Sequence, residues 1–172
     1  MILPFSTQLN GKPTYFVEKI WSSLMPKYAE PKYNPMRYIL PQVYFECIDK
    51  GFLNMNPHNA KYHTIREDKK ERWKPGRKID FFINCRQKSM FRFAPVLPVV
   101  SVQKVTMSYL WGKVIMITIA GREMYPSEKE QFAMNDGFDN WESFFEYFYD
   151  VIKNTEDNFF TGKIIHWTDL KY

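Results

Sequence analysis

The sequence is poor in residues that several common protein classes require. It has only 2 cysteines, Cys47 and Cys85, and they do not form a Cys-x-x-Cys pair, which disfavours a disulfide framework and a cysteine zinc site. Glycine is scarce, with 7 residues, and no Gly-x-Gly-x-x-Gly, Walker-type or Gly-x-Ser-x-Gly motif is present, which disfavours enzymes with nucleotide cofactors. We therefore expect no cofactor and a reducing, cytoplasmic environment.

Long hydrophobic runs and metal-ligand spacings are also missing. The longest uninterrupted apolar run, Val114 to Ile117, is far shorter than the roughly 18 residues of a membrane span, and Met1 to Pro4 does not resemble the start of a secretory signal. His58 and His63 are not at a zinc-site spacing, and His166 belongs to a strand that we expect to be buried. We expect neither a membrane nor a metal ion as a partner.

What is present indicates one compact domain with a helical first part. The 172 residues are 45% hydrophobic and 25% charged, which is typical of a single globular domain. Pro13, followed by apolar residues at helical spacing from Phe16 to Leu24, predicts a helix over about 13–24. Several prolines make 25–40 irregular, and Pro41 and Gly51 bracket a second helix, with a loop over 54–59.

The central and final parts predict strands around one further helix. Lys74 to Arg77 has the Pro-Gly pair of a type II turn, from which an alternating strand over 78–85 follows. Further strands are expected near 91–93, 99–107, 114–120 and 162–169. A capping pair, Asp139 and Glu142, precedes an aromatic stripe at helical spacing through Ile152. We predict an α+β protein in which strands and inserted helices form a small mixed barrel.

Positive charge is concentrated in one stretch. Residues 61–78 contain eight Lys or Arg and three Asp or Glu, a net charge of +5, which equals the net charge of the whole chain. This density favours an anionic partner such as nucleic acid. The alternative is a solvated turn whose charges only aid solubility.

The same stretch carries a motif. Lys61 to Arg66 reads Lys-Tyr-His-Thr-Ile-Arg, and it is followed by an acidic pair, a basic and aromatic segment and the Gly turn that opens the strand over 78–85. In this pattern the sequence resembles the ASCH (activating-signal-cointegrator homology) family of the PUA-like superfold, over about 61–170. Residues 1–60 lie outside the match and are interpreted as a helical extension of the single domain 1–172. The resemblance implies a small β-barrel with a cleft for RNA or a modified nucleoside.

The resemblance also implies a possible reaction. Some bacterial members of the family hydrolyse the acetyl amide of N(4)-acetylcytidine with a Lys, a Thr three residues later and a distant Glu. Lys61 and Thr64 match the first two, and Asp136 is the best-aligned carboxylate for the third. Asp is one methylene shorter than Glu, so this position departs from the family pattern.

The residue types fit amide hydrolysis chemically. Thr64, or a water it positions, is a candidate nucleophile, Lys61 a candidate base, and Asp136 a candidate partner of the amine or acid for the leaving group. Because residues three apart point to opposite faces of a strand, this arrangement requires a bend at His63 and an open polar pocket near Thr64. In the alternative interpretation Lys61 and Arg66 are loop cations, Thr64 is a strand former, and Asp136 belongs to a turn.

Binding has a broader set of candidate residues. The planar guanidinium of Arg66 suits a phosphate or a base edge, and the cations that follow suit a nucleic-acid backbone. Trp73 stands between two of them and is expected to be exposed as a stacking surface. The candidate binding residues are Arg66, Lys69, Lys70, Arg72, Trp73 and Lys74. The preferred hypothesis is RNA or modified-nucleoside binding; the alternatives are an amidohydrolase at the same site and an interaction module that uses the helices at 13–50.

Overall fold

The computed structural model describes residues 1–29, 39–54, 58–110 and 114–172. Within these ranges there are eleven strands, four α-helices and two short 3-10 helices, at Met25–Tyr28 and Pro126–Glu128. The strands are β1 (Ile2–Phe5), β2 (Gln8–Leu9), β3 (Lys12–Pro13), β4 (His63–Arg66), β5 (Lys78–Ile83), β6 (Phe91–Arg92), β7 (Leu97–Pro98), β8 (Ser101–Leu110), β9 (Val114–Ile119), β10 (Arg122–Glu123) and β11 (Phe159–His166). The helices are α1 (Phe16–Leu24), α2 (Gln42–Asp49), α3 (Lys129–Asn135) and α4 (Trp141–Lys153).

The chain folds into two compact units. The first contains Met1–Lys61 and Lys78–Pro98, and the second contains Tyr62–Arg77 and Val99–Tyr172. The predicted extension, residues 1–60, therefore lies in the first unit together with 78–98. That residues 1–172 form one ASCH-like domain stays a prediction.

The first unit is built around β5. This strand pairs in parallel with β1 and antiparallel with β6 and β7, and its inward residues Ile79, Phe81 and Ile83 are fully buried. Helix α1 buries its predicted apolar stripe, and the Trp21 indole N–H donates to the carbonyl of Phe93 over 2.9 Å. The helix begins at Phe16 and not near Pro13, because Lys12 and Pro13 pair with β2.

The second unit is a five-stranded sheet covered by helices. The strand order is β10-β9-β8-β11-β4, and each neighbouring pair is antiparallel. Helix α4 packs its aromatic stripe on this sheet, with Phe148 5.7 Å from Phe160 and Tyr149 4.9 Å from Tyr109 between ring centroids. The aromatic helix is confirmed. Its cap is not the predicted Asp139: the side chain of Asn140 accepts the backbone N–H of Ser143.

The α+β class is confirmed, whereas a barrel is not seen. In the described ranges none of the three sheets closes on itself. Strands β1 and β4 and helix α3 are absent from the sequence predictions, because four-residue and seven-residue segments carry too little periodicity to identify. Of the predicted irregular segment 25–40, the part over 30–38 lies outside the described residues, as do 55–57 of the loop at 54–59.

Candidate functional site

The segment that joins β4 to β5, residues 67–77, is called the basic loop here, and Asp68 holds it in place. The side chain of Asp68 is 1% exposed and accepts the backbone N–H groups of Arg72 at 3.0 Å and Trp73 at 2.9 Å. Lys163 Nζ lies 3.4 Å from the same carboxylate. Burial alone raises the pKa of Asp68, but the hydrogen bonds from Trp73, Arg72 and Lys163 outweigh it, so the pKa is lowered.

Backbone geometry also orders the basic loop. The N–H of Glu71 donates to the carbonyl of Asp68, and that of Arg77 donates to the carbonyl of Lys74. Gly76 has φ of +81°, the positive value that the second central position of a type II turn requires. The turn expected from the Pro-Gly pair is therefore present.

This ordered loop presents cations to solvent. The four cations of the loop that we predicted as binding residues are all exposed: Lys69, Lys70, Arg72 and Lys74. Arg77, at the end of the loop, is also exposed. Lys69 forms an ion pair with Glu67 at 3.1 Å, but both side chains are more than half exposed, so solvent screens the pair. The loop therefore offers five positive side chains on a constrained backbone.

Trp73 does not belong to that exposed set. We expected its ring to be exposed for base stacking, but the residue is only 5% exposed, so this expectation is wrong. The local reason is the pair of hydrogen bonds to Asp68, which turns the backbone inward at residue 73. Trp73 packs inside the protein while its neighbours Arg72 and Lys74 face water.

Thr64 and Arg66 lie on β4, an edge strand of the five-stranded sheet. Thr64 pairs with Ile165 and is 4% exposed, and Arg66 pairs with Lys163. Burial lowers the pKa of Arg66, while the nearby Asp136 and Tyr147 act in the opposite direction. The structure therefore brings Arg66 within electrostatic range of the predicted acid, Asp136.

The backbone at the end of α3 positions Asp136. The N–H of Gly137 donates to the carbonyl of Met134, and the N–H of Phe138 donates to that of Ala133. These two bonds, with φ of +89° at Gly137, form a Schellman motif that ends the helix at Asp136. A carboxylate at a helix C-terminus is disfavoured by the helix dipole, so cationic or hydrogen-bonding neighbours are needed to stabilise it.

The imidazole of His63 lies beside this carboxylate and belongs to a group that we call the polar cluster: His63, Asn135, Asp136, His166 and Tyr172. Nδ1 of His63 lies 3.4 Å from Oδ1 of Asp136, and Nε2 lies 2.7 Å from the hydroxyl of Tyr172. The Asn135 amide donates to that hydroxyl over 2.9 Å. Carboxylate, imidazole and hydroxyl thus lie in series, an arrangement that holds the imidazole in one orientation.

His166 completes the polar cluster in an unusual way. Its ring is fully buried and 5.3 Å from the ring of His63, and neither of its nitrogens has a hydrogen-bond partner in the described residues. Burial first, and then the charges of His63 and Lys171, lower the pKa of His166 to about 3, against the opposing effect of Asp136. His166 is therefore neutral at pH 7.

Lys61, the predicted base, lies in the first unit. Its backbone N–H donates to the carbonyl of Lys19, and its ammonium lies 4.8 Å from the centre of the Phe16 ring. The residue is 1% exposed. Since β4 begins at His63, Lys61 precedes the strand, so the strand alternation does not set the direction of its side chain.

Hydrolysis at Lys61, Thr64 and Asp136 stays a prediction. All three residues are at most 4% exposed, so the open polar pocket expected near Thr64 is not seen at these side chains. The polar cluster adds residues that the sequence predictions missed: His63, Asn135, His166 and Tyr172. The one local signal was His63 itself, which lies inside the quoted motif between the two predicted catalytic residues.

Two further searches cover the described part of the chain. There, no group of three or more His, Cys, Asp or Glu side chains is arranged to hold a metal ion. None of the helices in those ranges is both long enough and apolar enough to cross a membrane. Neither observation identifies a partner.

Comparison with known proteins identifies no relative. No family model matches the chain, and neither a curated protein nor a solved structure matches it. The functional conclusion therefore depends on the residues and geometry described above.

Proposed function

We propose that this protein binds RNA through the basic loop, as a member of the ASCH type with a PUA-like fold. The observation that carries the proposal is an ordered backbone with five exposed cations, anchored from within by the buried carboxylate of Asp68. An exposed cation contributes little to folding stability, so stability alone does not account for five of them in nine residues, 69–77.

The electrostatics of the loop favour a polyanion. Cations that contact phosphates release condensed counterions, and this release supplies most of the affinity of non-specific nucleic-acid binding. Only Glu67 and Glu71 are exposed acids in the basic loop, because Asp68 is buried against its donors. The surface charge of the loop is therefore more positive than its sequence suggests.

The proposal separates backbone binding from base recognition. Lys69, Lys70, Arg72 and Lys74 contact phosphates, whereas Trp73 stays inside and does not stack on a base. Arg66 is partly buried and close to Asp136, so its role is to bind an individual phosphate or base edge beside the loop. A modified nucleoside remains the alternative ligand at that position.

The test is a titration of single-stranded RNA at several salt concentrations. The loop variant carries Lys70→Gln and Lys74→Gln, and a matched variant carries Lys50→Gln and Lys88→Gln, two exposed lysines of the first unit. Removing two phosphate contacts makes the slope of log K against log salt shallower by about 1.4 for a single strand. The matched variant keeps the wild-type slope.

Two outcomes contradict the proposal. Binding of the wild-type protein that does not change with salt excludes phosphate contacts altogether. Equal loss of RNA affinity in both double variants shows that net charge, and not the basic loop, attracts RNA.

Hydrolysis is tested separately, by the release of acetate from N(4)-acetylcytidine. Thr64→Ala abolishes turnover if Thr64 acts in catalysis, and it leaves RNA affinity unchanged.

A further inference from the structure

On one face of the five-stranded sheet of the second unit Lys104, Phe159 and Thr161 are exposed, whereas Thr64 and Ile165 are buried. The other face carries the buried residues Val105, Met107 and Ile164 and packs against α4. Because side chains alternate along a strand, the residues between them point away from α4. The outward residues that matter below are called the open face: Lys104, Thr106, Thr118, Phe159, Thr161 and Lys163.

The strand register arranges the open face in rows. Thr106 pairs with Thr118 on one side and with Thr161 on the other, which makes a row of three hydroxyl groups across β9, β8 and β11. In the next row Lys104 pairs directly with Lys163. Like charges at directly opposed positions destabilise a sheet, so sheet stability does not account for this lysine pair.

Lys163 connects the open face to the basic loop. Its ammonium lies 3.4 Å from Asp68 and 3.9 Å from Glu71, both residues of that loop. Lys104 is exposed, and among the residues the structure describes no carboxylate lies within ion-pair distance of it. The positive surface of the loop therefore continues onto the sheet, where Glu123, paired with Thr118, borders it.

An aromatic side chain lies at the other end of the same strand. Phe159 is 40% exposed and four residues before Lys163 on β11, a separation of about 13 Å along the strand. Cations, hydroxyl groups and an exposed ring on one sheet face match what single-stranded RNA offers: phosphates, 2′-hydroxyls and unstacked bases. In a duplex the bases are already stacked inside the helix, so none of them is available to stack on the ring of Phe159.

We propose that the open face binds a single strand of RNA that continues from the basic loop, with Lys104 on a phosphate and Phe159 stacked on a base, while Lys163 keeps the loop beside the sheet through Asp68. This inference rests on the proposed function and adds to it the strandedness of the ligand and the path it takes. The threonine row supplies hydrogen bonds to the sugar and phosphate between these contacts.

The experiment compares a labelled oligouridylate of about 12 nucleotides with an RNA duplex of similar length. Lys104→Gln makes the salt slope for the single strand shallower by about 0.7, and Lys88→Gln is its control. Phe159→Ala weakens single-strand binding about tenfold without changing the salt slope, and leaves duplex binding unchanged. Phe45→Ala, which removes an exposed ring from the first unit, has no effect on either probe.

The outcomes distinguish this inference from the one it rests on. If Lys104→Gln and Phe159→Ala bind the oligouridylate like wild type while the double loop variant binds weakly, the open face is excluded and loop binding stands. If Phe159→Ala weakens both probes equally, the single-strand assignment is wrong. Salt-insensitive binding by the wild type removes both proposals. Phe159→Leu, which keeps an apolar side chain in the strand, shows whether any loss comes from the ring or from misfolding.

Discussion

The basic loop and the polar cluster, whose His63 lies four residues before the loop, treat polar side chains in opposite ways. The loop holds its cations in water and buries one carboxylate, that of Asp68, whose donors satisfy it. The polar cluster takes two imidazoles and a carboxylate out of water, and among the residues that the structure describes one of these imidazoles, that of His166, has no hydrogen-bond partner. The first region suits reversible binding of an anion, whereas the second stabilises the fold only while its groups keep their present protonation states.

This difference separates ligand binding from folding stability, although the sequence motif contains residues that serve each of them. Arg66 and the loop cations follow His63 and Thr64 directly in the chain, yet exposure changes from buried to exposed within a few residues. Loss of a loop cation should therefore affect ligand binding, and loss of a cluster residue should affect stability. Four measurements test this separation, beginning with the largest expected effect.

The strongest test concerns Trp73, the one buried aromatic of the basic loop. Trp73→Ala lowers the free energy of unfolding by about 3–5 kcal/mol, because it leaves a large cavity. Urea denaturation measures the change, and Trp141→Ala, at a half-buried position, costs less. A change below about 1 kcal/mol, together with lost RNA binding, assigns Trp73 to the ligand surface and removes the distinction drawn here.

The second test uses acid to unfold the polar cluster. Because the pKa of His166 is lowered from 6.5 to about 3, the unfolded chain binds a proton that the folded protein does not bind between these values. Stability is therefore full above pH 6.5 and falls as pH falls towards 3, by about 2.7 kcal/mol over the first two pH units below 6.5. Urea denaturation across this range measures the slope.

Matched variants assign that slope. His166→Phe removes the titrating group and flattens the pH dependence, whereas His58→Gln, in the first unit, leaves it as in wild type. The same slope in both variants shows that carboxylates, and not His166, govern acid unfolding.

The third test compares two neighbouring acids. Asp68→Asn removes a charged acceptor from two backbone N–H groups and from Lys163, and costs about 1.5–3 kcal/mol. Glu67→Gln breaks an exposed ion pair and costs less than about 1 kcal/mol. The lowered pKa of Asp68 means that its contribution is present above pH 3.8 and is lost as pH falls below that value. If Asp68→Asn and Glu67→Gln lower the free energy of unfolding equally at pH 7, Asp68 does not anchor the loop.

The smallest effect is expected at Tyr172. Tyr172→Phe leaves Nε2 of His63 and the amide of Asn135 without their shared hydroxyl and costs about 1 kcal/mol. Tyr125→Phe removes a hydroxyl from a residue that is 67% exposed and serves as the control. Thermal unfolding resolves the difference; an unchanged melting temperature in Tyr172→Phe means that the hydroxyl contributes nothing to stability.

Sequence patterns predicted the local features of this protein and missed the distant pairings. The turn at Gly76, the aromatic stripe of α4 and the exposure of Lys69 and Lys70 depend on neighbouring residues, so they were predictable. The polar cluster depends on the register that pairs His63 with His166, two residues about 100 positions apart in the sequence. No local pattern encodes that register, and the burial of Trp73 was likewise hidden by the charged residues on both sides of it.

The helix end at Asp136 has a consequence for how this protein tolerates change. The position of the carboxylate depends on two main-chain hydrogen bonds and the left-handed turn at Gly137, in addition to its contact with His63. A residue with a Cβ at 137 strains that turn, because Gly137 has a φ of +89°, and so shifts the position of the Asp136 carboxylate. Random mutagenesis would therefore reveal a glycine whose intolerance reflects the geometry of its neighbour and not any chemistry of its own.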